Sequence, residues 1–434
     1  MKTAILGCGL TGLTIGHLLN KKGVDFKIFE KEKDCGGLMR SLSQDDFTFD
    51  YGGSHVLFSK DKEALSFLLG LLENNKTRHR RKTKILYKRR YVKYPFENGL
   101  SDLSTNENFE CLSSFVQNLI NKQTGKKDSP RNLKEWFYYN FGSGMAEKYL
   151  IPYNTKIWKH PLEEMTLEWA DRIPNPPLED VIKSSLGIKT EGYVHQLYFY
   201  YPKNGGIQAL IDKLRNPLND RIANSFEIKM VMREKNRWIV SDGEREEQFD
   251  KIVSTIPANE LVKVMHAPRE VKKAASNLKY NSLICVMIGL DVEKVNDLSW
   301  LYIPDRDILP HRVSFPSNYS LHAAPAGKSS LLAEITCSAN SKIWRMGDDK
   351  LADRVINDLV HLKLITKKDI CFSVVRKTKY AYVINDLDYH EDITTVKDFL
   401  TKEGISSIGR FGEFNYLNMD ACVRSATNFA ESSV

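Results

Sequence analysis

The sequence predicts an α/β protein in which a discontinuous, Rossmann-like dinucleotide-binding domain is interrupted by a mainly helical domain and by a domain with an antiparallel sheet. Residues 3–30 alternate strand, glycine motif, helix and strand, which is the opening of a βαβ unit. Helical periodicity dominates residues 106–149, whereas short β-like runs dominate residues 281–337. A strand–loop–helix pattern at 405–430 then predicts that the chain rejoins the first domain.

Each element follows from a local pattern of apolar residues and turn residues. The Pro-rich run PNPP at 174–177 predicts a loop. The predicted helices are 11–22, 62–75, 106–122 and 131–149. The predicted strands are 3–7, 25–30, 193–202, 226–242, 249–257, 281–290, 310–316 and 330–337.

Composition indicates a globular protein, because 42% hydrophobic and 27% charged residues are ordinary values for one. No apolar run approaches the roughly 18 residues of a membrane span, so we expect a cytoplasmic protein without a span. The seven cysteines form no C-x-x-C pair, and we expect them to be reduced and to bind no metal. The basic block at 76–90 suits a solvated surface or an anionic ligand better than nucleic acid.

A dinucleotide site is predicted at GCGLTG, residues 7–12, which matches G-x-G-x-x-G between a strand and a helix. Gly7 permits the tight turn, and Gly9 lets a diphosphate approach the backbone where Leu10, Thr11 and Gly12 open the helix. Glu30 ends the second strand, 23 residues after Gly7. Its carboxylate can accept hydrogen bonds from ribose hydroxyls and would repel a 2′-phosphate.

The stretch after Glu30 favours FAD over NAD. It reads KEKDCGGLMRS from Lys31, so a second glycine pair ending at Gly37 is followed by Leu38. Such glycines let the chain pass along the far side of the diphosphate, although a simple turn is the alternative. FDKIVSTIP near residue 250 is also typical of the strand that returns to this domain in FAD proteins.

Five stretches, in order, resemble motifs of the UDP-galactopyranose mutases, flavoenzymes that contract the ring of a nucleotide-linked sugar. The resemblance covers nearly the whole chain. The stretches are DYGGSHVLFS (50–59), YVKYPFENGL (91–100), YLIPYNTKIWKHPLEEMTLEWADRIP (149–174), HRVSFPSNYS (311–320) and GRFGEFNYLNMD (409–420).

The resemblance implies a fold and a reaction. It implies FAD-binding segments at 1–90, 191–260 and 386–434, a helical base-binding insertion at 91–190 and a β-sheet substrate domain at 261–385. It implies that UDP-galactopyranose and UDP-galactofuranose are interconverted when N5 of reduced FAD attacks the anomeric carbon. NAD(P)H or another reductant and a homo-oligomer are compatible with it.

The resemblance also assigns residues. Catalytic roles fall on His55 beside the flavin and on Arg172 and Arg312 at the diphosphate. The cofactor residues are Gly7, Gly9, Leu10, Thr11, Gly12, Glu30, Lys31, Gly37, Leu38, Gly53, Ser54, His55, Val231, Arg410, Asn418 and Met419. The substrate residues are Tyr94, Phe96, Glu97, Asn154, Trp158, Arg172, Tyr302, Arg312, Tyr382 and Tyr416.

Two departures from the family pattern keep alternatives open. Ser54 is an extra residue between the glycines and His55, and Glu97 stands where the family has glutamine. A mutase for another base or sugar is therefore one alternative. A flavin oxidase of the amine or protoporphyrinogen oxidase class and a non-catalytic FAD-binding relative are the others.

Overall fold

The computed structural model describes residues 1–173, 175–192 and 197–432. Its α-helices are α1 (Leu10–Lys21), α2 (Lys62–Leu72), α3 (Thr105–Gln123), α4 (Leu133–Met145), α5 (Ile151–Trp158), α6 (Leu178–Ser185), α7 (Gln208–Arg215), α8 (Ala258–Lys263), α9 (Arg269–Asn277), α10 (Asp348–His361), α11 (Tyr389–Lys402) and α12 (Met419–Ser432). Its strands are β1 (Lys2–Leu6), β2 (Asp25–Phe29), β3 (Ser41–Gln44), β4 (Phe47–Asp50), β5 (Thr77–Arg80), β6 (Thr83–Tyr87), β7 (Arg90–Lys93), β8 (Tyr198–Tyr201), β9 (Ile222–Ala223), β10 (Met230–Glu234), β11 (Arg237–Ser241), β12 (Glu246–Phe249), β13 (Lys251–Ser254), β14 (Lys279–Leu290), β15 (Trp300–Tyr302), β16 (Arg312–Ser314), β17 (Ser329–Cys337), β18 (Ile370–Ile384) and β19 (Ile405–Ser407).

A five-stranded parallel sheet forms the dinucleotide layer, in the order β19-β13-β1-β2-β9. Strands from the start, middle and end of the chain therefore lie side by side, which confirms the predicted discontinuous α/β domain. Ile5, Ile28 and Val253 are fully buried in this sheet, as expected for strands covered by helices on both faces. The helices α1 and α12 pack against each other beside it.

The second large sheet has seven strands in the order β18-β14-β17-β16-β15-β6-β7. All its pairs are antiparallel except β6–β15, which is parallel. The sequence patterns predict no strand at 370–384, where β18 runs for 15 residues that are mostly half-exposed or exposed and become buried mainly toward its end. The pairing of β14 with β18 extends from Lys279–Ile384 to Leu290–Ile370.

Two domain boundaries differ from the predicted ones. Residues 83–90 were assigned to the FAD-binding part, but β6 hydrogen-bonds to β15 and joins the seven-stranded sheet. Residues 261–278 were assigned to the substrate domain, but α8 and α9 pack on the dinucleotide layer. The apolar face of α9, which includes Val271 and Ala275, is buried in the same cluster as Ala4 and Leu6. The substrate domain therefore resumes at β14.

The helical insertion contains α3 to α6 around a core of large aromatic side chains. Phe115, Phe137 and Phe141 are each at most 1% exposed. The helix predicted at 131–149 is interrupted, because Gly142 has a φ of 71° and a π-helical turn covers Ala146–Leu150. Gly144 lets α4 approach α3, since a Cβ there would lie 2.7 Å from Cα of Cys111. This packing fixes the direction of α5.

The structure also bears on the predictions for the cysteines, for the strand at 193–202, and for membrane spans and metal sites. The expectation of reduced cysteines is wrong for one pair, because Cys8 and Cys35 form a disulfide with Cα atoms 5.1 Å apart. Of the strand predicted at 193–202, residues 193–196 lie outside the described residues and β8 forms the rest. None of the described helices is both long and apolar enough to cross a membrane, and the described side chains form no cluster suited to a metal ion.

Candidate active site

The glycine motif forms an open cradle at the start of α1. Gly9 is the N-cap of α1 and offers no side chain to the first-turn amides, so these N–H groups are available to an anion. A Cβ at Gly9 would meet only Cα of Gly37, at 4.0 Å, so the two glycines face each other across a narrow gap. Gly12 lies directly against the turn, because a Cβ there would lie 2.0 Å from the Gly7 carbonyl oxygen.

The Glu30 carboxylate is held at the edge of this cradle. Its Oε2 accepts a hydrogen bond from the Cys8 amide at 3.0 Å, and its Oε1 accepts one from the Glu32 amide at 3.0 Å. Burial raises the pKa of Glu30, and the two amide hydrogen bonds oppose that shift. Each oxygen keeps a lone pair that can accept a ribose hydroxyl.

The loop that carries His55 is fixed through its backbone. The Ser54 amide donates to Oε1 of Glu334 at 3.3 Å, and the Gly53 carbonyl oxygen lies 2.7 Å from Nδ1 of His55. Gly53 has a φ of 99°, a conformation for which glycine is suited. Beneath the loop, the Asp50 carboxylate accepts hydrogen bonds from Tyr201 and from the Ile207 amide. The extra residue Ser54 is thus part of a tightly held turn.

His55 is neutral in this environment. Burial lowers its pKa to about 4, and the charges of Arg410 and Arg312 add to that effect, against the opposing contributions of the Gly53 carbonyl and Glu334. Because Nδ1 faces a carbonyl oxygen, we assign the proton to Nδ1 and a free lone pair to Nε2. The imidazole can therefore accept a hydrogen bond but carries no charge.

Two arginines enclose one tyrosine ring. The guanidinium carbon of Arg172 lies 4.6 Å from the ring centre of Tyr416, and that of Arg410 lies 4.0 Å from the same centre. Arg172 also donates to the backbone carbonyl of Tyr416. Tyr382 and Trp169 pack against Tyr416 at 5.7 Å and 5.1 Å between ring centres. The aromatic rings thus hold two cations close together, and neither forms an ion pair with a carboxylate among the described residues.

A third arginine, Arg312, lies between this group and a second aromatic cluster. Tyr302 lies directly opposite Arg312 in the β15–β16 register, and Arg312 lies directly opposite Glu334 in the β16–β17 register. Tyr302 in turn packs 5.0 Å from Tyr94 and 5.2 Å from Tyr153. Within the described residues, Glu334 is the single carboxylate that forms an ion pair with Arg172, Arg312 or Arg410. The region therefore carries excess positive charge suited to an anion.

Glu97 lies beside the second aromatic cluster with its side chain inside the protein. It is 5% exposed, and no described side chain donates a hydrogen bond to its carboxyl group. Burial raises its pKa to about 7, and its own backbone amide opposes the shift. Near neutral pH this group therefore exists partly as a carboxylate, which only accepts hydrogen bonds, and partly as a carboxylic acid, which can also donate one.

Several buried donors in the region have no protein acceptor among the described residues. They include Nε of Arg410 and Nε1 of Trp158 and of Trp169. Native proteins rarely leave such groups unpaired, so a bound ligand is the natural acceptor. Together with the open Gly9–Gly37 cradle and the fixed Glu30, they fit a large anionic cofactor such as FAD.

A sequence comparison supplies the family. The profile of the flavin-containing amine oxidoreductases matches residues 10–382, which is most of the chain. The chain belongs to that family. Membership, together with the cradle just described, gives FAD as the cofactor.

Comparisons with individual proteins show the fold and a short local likeness. The structure is similar to that of a reduced UDP-galactopyranose mutase, with a TM-score of 0.91 and 24% identity over 100% of this chain and 95% of the other. A structure assigned as a protoporphyrinogen oxidase from Exiguobacterium sp. 255-15 has a TM-score of 0.78 and 16% identity, over 100% and 98% of the two chains. A 4,4'-diapophytoene desaturase of Staphylococcus aureus is 42% identical over 57 residues, which are 13% of this chain and 11% of the desaturase.

Most of the predicted site residues belong to the groups just described, whereas Val231 and Phe96 lie in buried hydrophobic clusters. Val231 is buried in the core of the dinucleotide layer, and its amide already donates to the Val264 carbonyl. The backbone that reaches the end of β2 is instead Phe226, whose amide donates to the Glu30 carbonyl at 2.8 Å. Phe96 is 1% exposed and packs on Tyr149, so it supports the pocket from behind and does not offer a free face to a base.

The remaining predicted residues lie in varied settings. Asn154 donates back to the Leu150 carbonyl, and Lys31 and Asn418 are exposed. Thr11 contacts Gly409, which brings the segment before Met419 to the start of α1. The residues that sequence reasoning missed are Asp50, Tyr149, Tyr153, Trp169, Phe226 and Glu334.

Proposed function

We propose that this protein is a mutase that interconverts the pyranose and furanose forms of a nucleoside diphosphate sugar, with UDP-galactopyranose as the first candidate. The observation that carries the proposal is the cluster of Arg172, Arg312 and Arg410 with one paired carboxylate. A diphosphate leaving group needs such fixed cations, because negative charge develops on it as the anomeric bond breaks. The similarity to a mutase structure supports the fold required.

In this proposal the protein positions the substrate and FAD supplies the reactive atom. Reduced FAD offers a nucleophilic nitrogen to the anomeric carbon. Arg172 and Arg312 bind the diphosphate, and the hydroxyls of Tyr302, Tyr382 and Tyr416 donate hydrogen bonds to its oxygens. Neutral His55 orients the Gly53 carbonyl and adds no charge beside the flavin. No acid–base pair is needed, in keeping with the scarcity of carboxylates around these residues.

The test is direct. Dithionite-reduced protein is incubated with UDP-galactopyranose, and the products are separated by chromatography. We expect a UDP-furanose product from reduced protein, none from oxidised protein, and no net consumption of reductant once the flavin is reduced. NAD(P)H can replace dithionite as the reductant to be tried. Equal turnover by oxidised protein would contradict the proposal.

Membership of the amine oxidoreductase family supports a second candidate, a flavin oxidase. An oxidase would deliver electrons to oxygen and act on an apolar or amine substrate. The three arginines make a poor surface for a cationic amine. Rapid peroxide formation by reduced protein in air, with no furanose product, would favour this candidate over the mutase.

Glu97 is expected to decide which base is preferred. At pH 8 Glu97 is mainly a carboxylate, because its pKa is about 7, and a carboxylate only accepts hydrogen bonds. It therefore gains one contact with uracil N3–H and is repelled by O4, whereas guanine offers it two adjacent donors, N1–H and the exocyclic amine. We expect Glu97→Gln to shift preference toward uridine diphosphate by about tenfold, consistent with about 0.5–1.5 kcal/mol for one hydrogen bond. Competitive displacement of UDP and GDP from both proteins at pH 8 measures the shift. Unchanged relative affinities would show that the base is recognised elsewhere.

The same variant has a pH signature. The pKa of Glu97 is raised from 4.5 to about 7 in the folded protein, so the folded state holds this proton more tightly than the unfolded chain does. Its contribution to stability is therefore complete below about pH 4.5 and is lost as the pH rises through about 7. Glu97→Gln should raise Tm more at pH 8 than at pH 5. An equal change in Tm at both pH values would place the carboxyl group in water.

A further inference from the structure

Glu334 occupies an unusual place for a carboxylate. It lies in the middle of β17, every residue of which is buried, and its own side chain is 0% exposed. Arg312 lies directly opposite it on β16. Nε of Arg312 donates to Oε1 at 2.7 Å, and Nη2 donates to Oε2 at 2.6 Å, so the pair has two parallel hydrogen bonds.

The same carboxylate also supports the loop beside His55. Oε1 accepts the Ser54 amide at 3.3 Å. A Cβ on Gly53 would lie 3.0 Å from Oε2 and 3.7 Å from Nη2 of Arg312, so the loop backbone runs directly over the ion pair. One buried group therefore contacts both the arginine and the flavin-side loop.

The pairing leaves one edge of the guanidinium for a ligand. Nε and the Nη2 amino group face Glu334, whereas Nη1 makes no hydrogen bond to another described residue. Burial alone would lower the pKa of Arg312, but the Glu334 carboxylate outweighs it and raises that pKa, so the guanidinium stays charged. The planar group has one orientation that keeps both hydrogen bonds, and this orientation fixes the direction of Nη1.

We propose that Glu334 is a positioning residue that aims the Nη1 edge of Arg312 at the diphosphate and holds the Gly53–Ser54 peptide against the same carboxylate. The proposal rests on the anion site of the proposed function. A nearby negative charge would by itself weaken anion binding. If Glu334 acts mainly by orienting Arg312, its removal must weaken that binding instead, and the two roles predict changes of opposite sign.

The test uses the oxidised, FAD-loaded protein and two probes, UDP and inorganic pyrophosphate, with binding measured by calorimetry. We expect Glu334→Gln to raise the Kd of both probes by about tenfold and to alter the flavin absorption band, because the Ser54 contact changes. Glu334→Asp keeps the charge but retracts the carboxylate by one methylene, and we expect a Kd increase of about threefold to tenfold. FAD content should be unchanged in both variants.

Asp242→Asn is the matched control. In the turn after β11, Asp242 accepts Nε and Nη2 of Arg245 at one oxygen, together with the backbone amides of Glu244 and Arg245, so it is another arginine–carboxylate pair that also holds a loop. Its Kd values and flavin spectrum should equal those of the wild type. Tighter pyrophosphate binding in Glu334→Gln would overturn the proposal, since Glu334 would then act only as a counter-charge. If Glu334→Gln loses FAD, the Kd values of Glu334→Asp serve as the test. Kd values in Glu334→Asp equal to those of the wild type would then overturn the proposal.

These measurements separate the inference from the proposed function. Pyrophosphate binding does not require turnover or a particular base. Wild-type protein that binds pyrophosphate but forms no furanose would contradict the mutase proposal. The Kd values of the Glu334 variants would still test the positioning role. Wild-type protein that fails to bind pyrophosphate would overturn the positioning role itself.

Discussion

Arg172→Ala is expected to lower kcat/KM for UDP-galactopyranose by about 30-fold to about 1,000-fold, which is about 2–4 kcal/mol of transition-state stabilisation. The guanidinium stacks on Tyr416 and has no carboxylate partner among the described residues, so its charge is available to the diphosphate. Because the side chain is exposed, Tm and FAD content should change little. Initial rates with reduced protein and thermal unfolding measure the two quantities.

Arg131→Ala is the control for this variant. Arg131 lies in the same helical insertion, has a side chain that is 87% exposed and pairs with Glu135 at 3.6 Å. Such a surface pair is worth little, so neither kcat/KM nor Tm should change appreciably. A loss of FAD in Arg172→Ala, with normal turnover per bound flavin, would mean that Arg172 serves the cofactor and not the substrate.

Arg312 is expected to behave differently, because its removal leaves Glu334 buried and unpaired. Arg312→Ala should therefore destabilise the fold by about 3–5 kcal/mol in addition to its effect on turnover. The double variant Arg312→Ala with Glu334→Gln removes both charges and should recover part of the stability but none of the activity. Arg172→Ala should lower turnover with little change in stability, whereas Arg312→Ala should lower both. The comparison distinguishes a residue that binds substrate from one that also pairs a buried charge.

Gly12→Ala is expected to abolish FAD binding and to destabilise the protein by at least about 3 kcal/mol, in the upper range for overpacking. The added Cβ would lie 2.0 Å from the Gly7 carbonyl oxygen and 3.2 Å from Oγ1 of Thr255, and both belong to the strand ends that form the cradle. The turn must therefore move away from α1. FAD content by absorbance and thermal unfolding of the purified protein measure the effect.

Gly70→Ala is the matched control, since Gly70 lies within α2 and a Cβ there would meet nothing within 4 Å. Alanine should stabilise that helix by about 0.5–1 kcal/mol and leave FAD binding unchanged. Retention of FAD by Gly12→Ala would mean that the turn tolerates displacement and that the cofactor approaches by another route.

The dinucleotide half of the fold was predictable because its signals are local. The turn at Gly7, the helix start at Gly9 and the acid at Glu30 lie within one βαβ unit, and each has a backbone requirement visible in the residue type. The resemblance located Arg172 and Tyr416 on separate motifs. Only the structure brings the two together, since their contact depends on how the helical insertion packs against the C-terminal segment.

Other parts depended on long-range pairing that local patterns do not contain. Tyr149 and Tyr153 are two of 19 tyrosines, and their spacing in the sequence does not distinguish a tyrosine that lines a pocket from one that lies in the core. Glu334 did leave a signal: it is the one charged residue in the apolar run SSLLAEITC, and a lone acid in a buried strand requires a cation. The Cys8–Cys35 disulfide was missed because the two residues are adjacent only once Gly36 binds the Cys8 carbonyl.

The order of strands in the dinucleotide layer also determines when the protein can acquire its cofactor during synthesis. β1 and β2 are made first, but β13 is made after residue 250, and β19 and α12 only after residue 404. A ribosome adding about 5–20 residues per second needs roughly 20–75 s to pass from β2 to β19, and β1 lacks its β13 neighbour for much of that time. The complete sheet, and any FAD site that depends on it, therefore forms late in the synthesis of the chain.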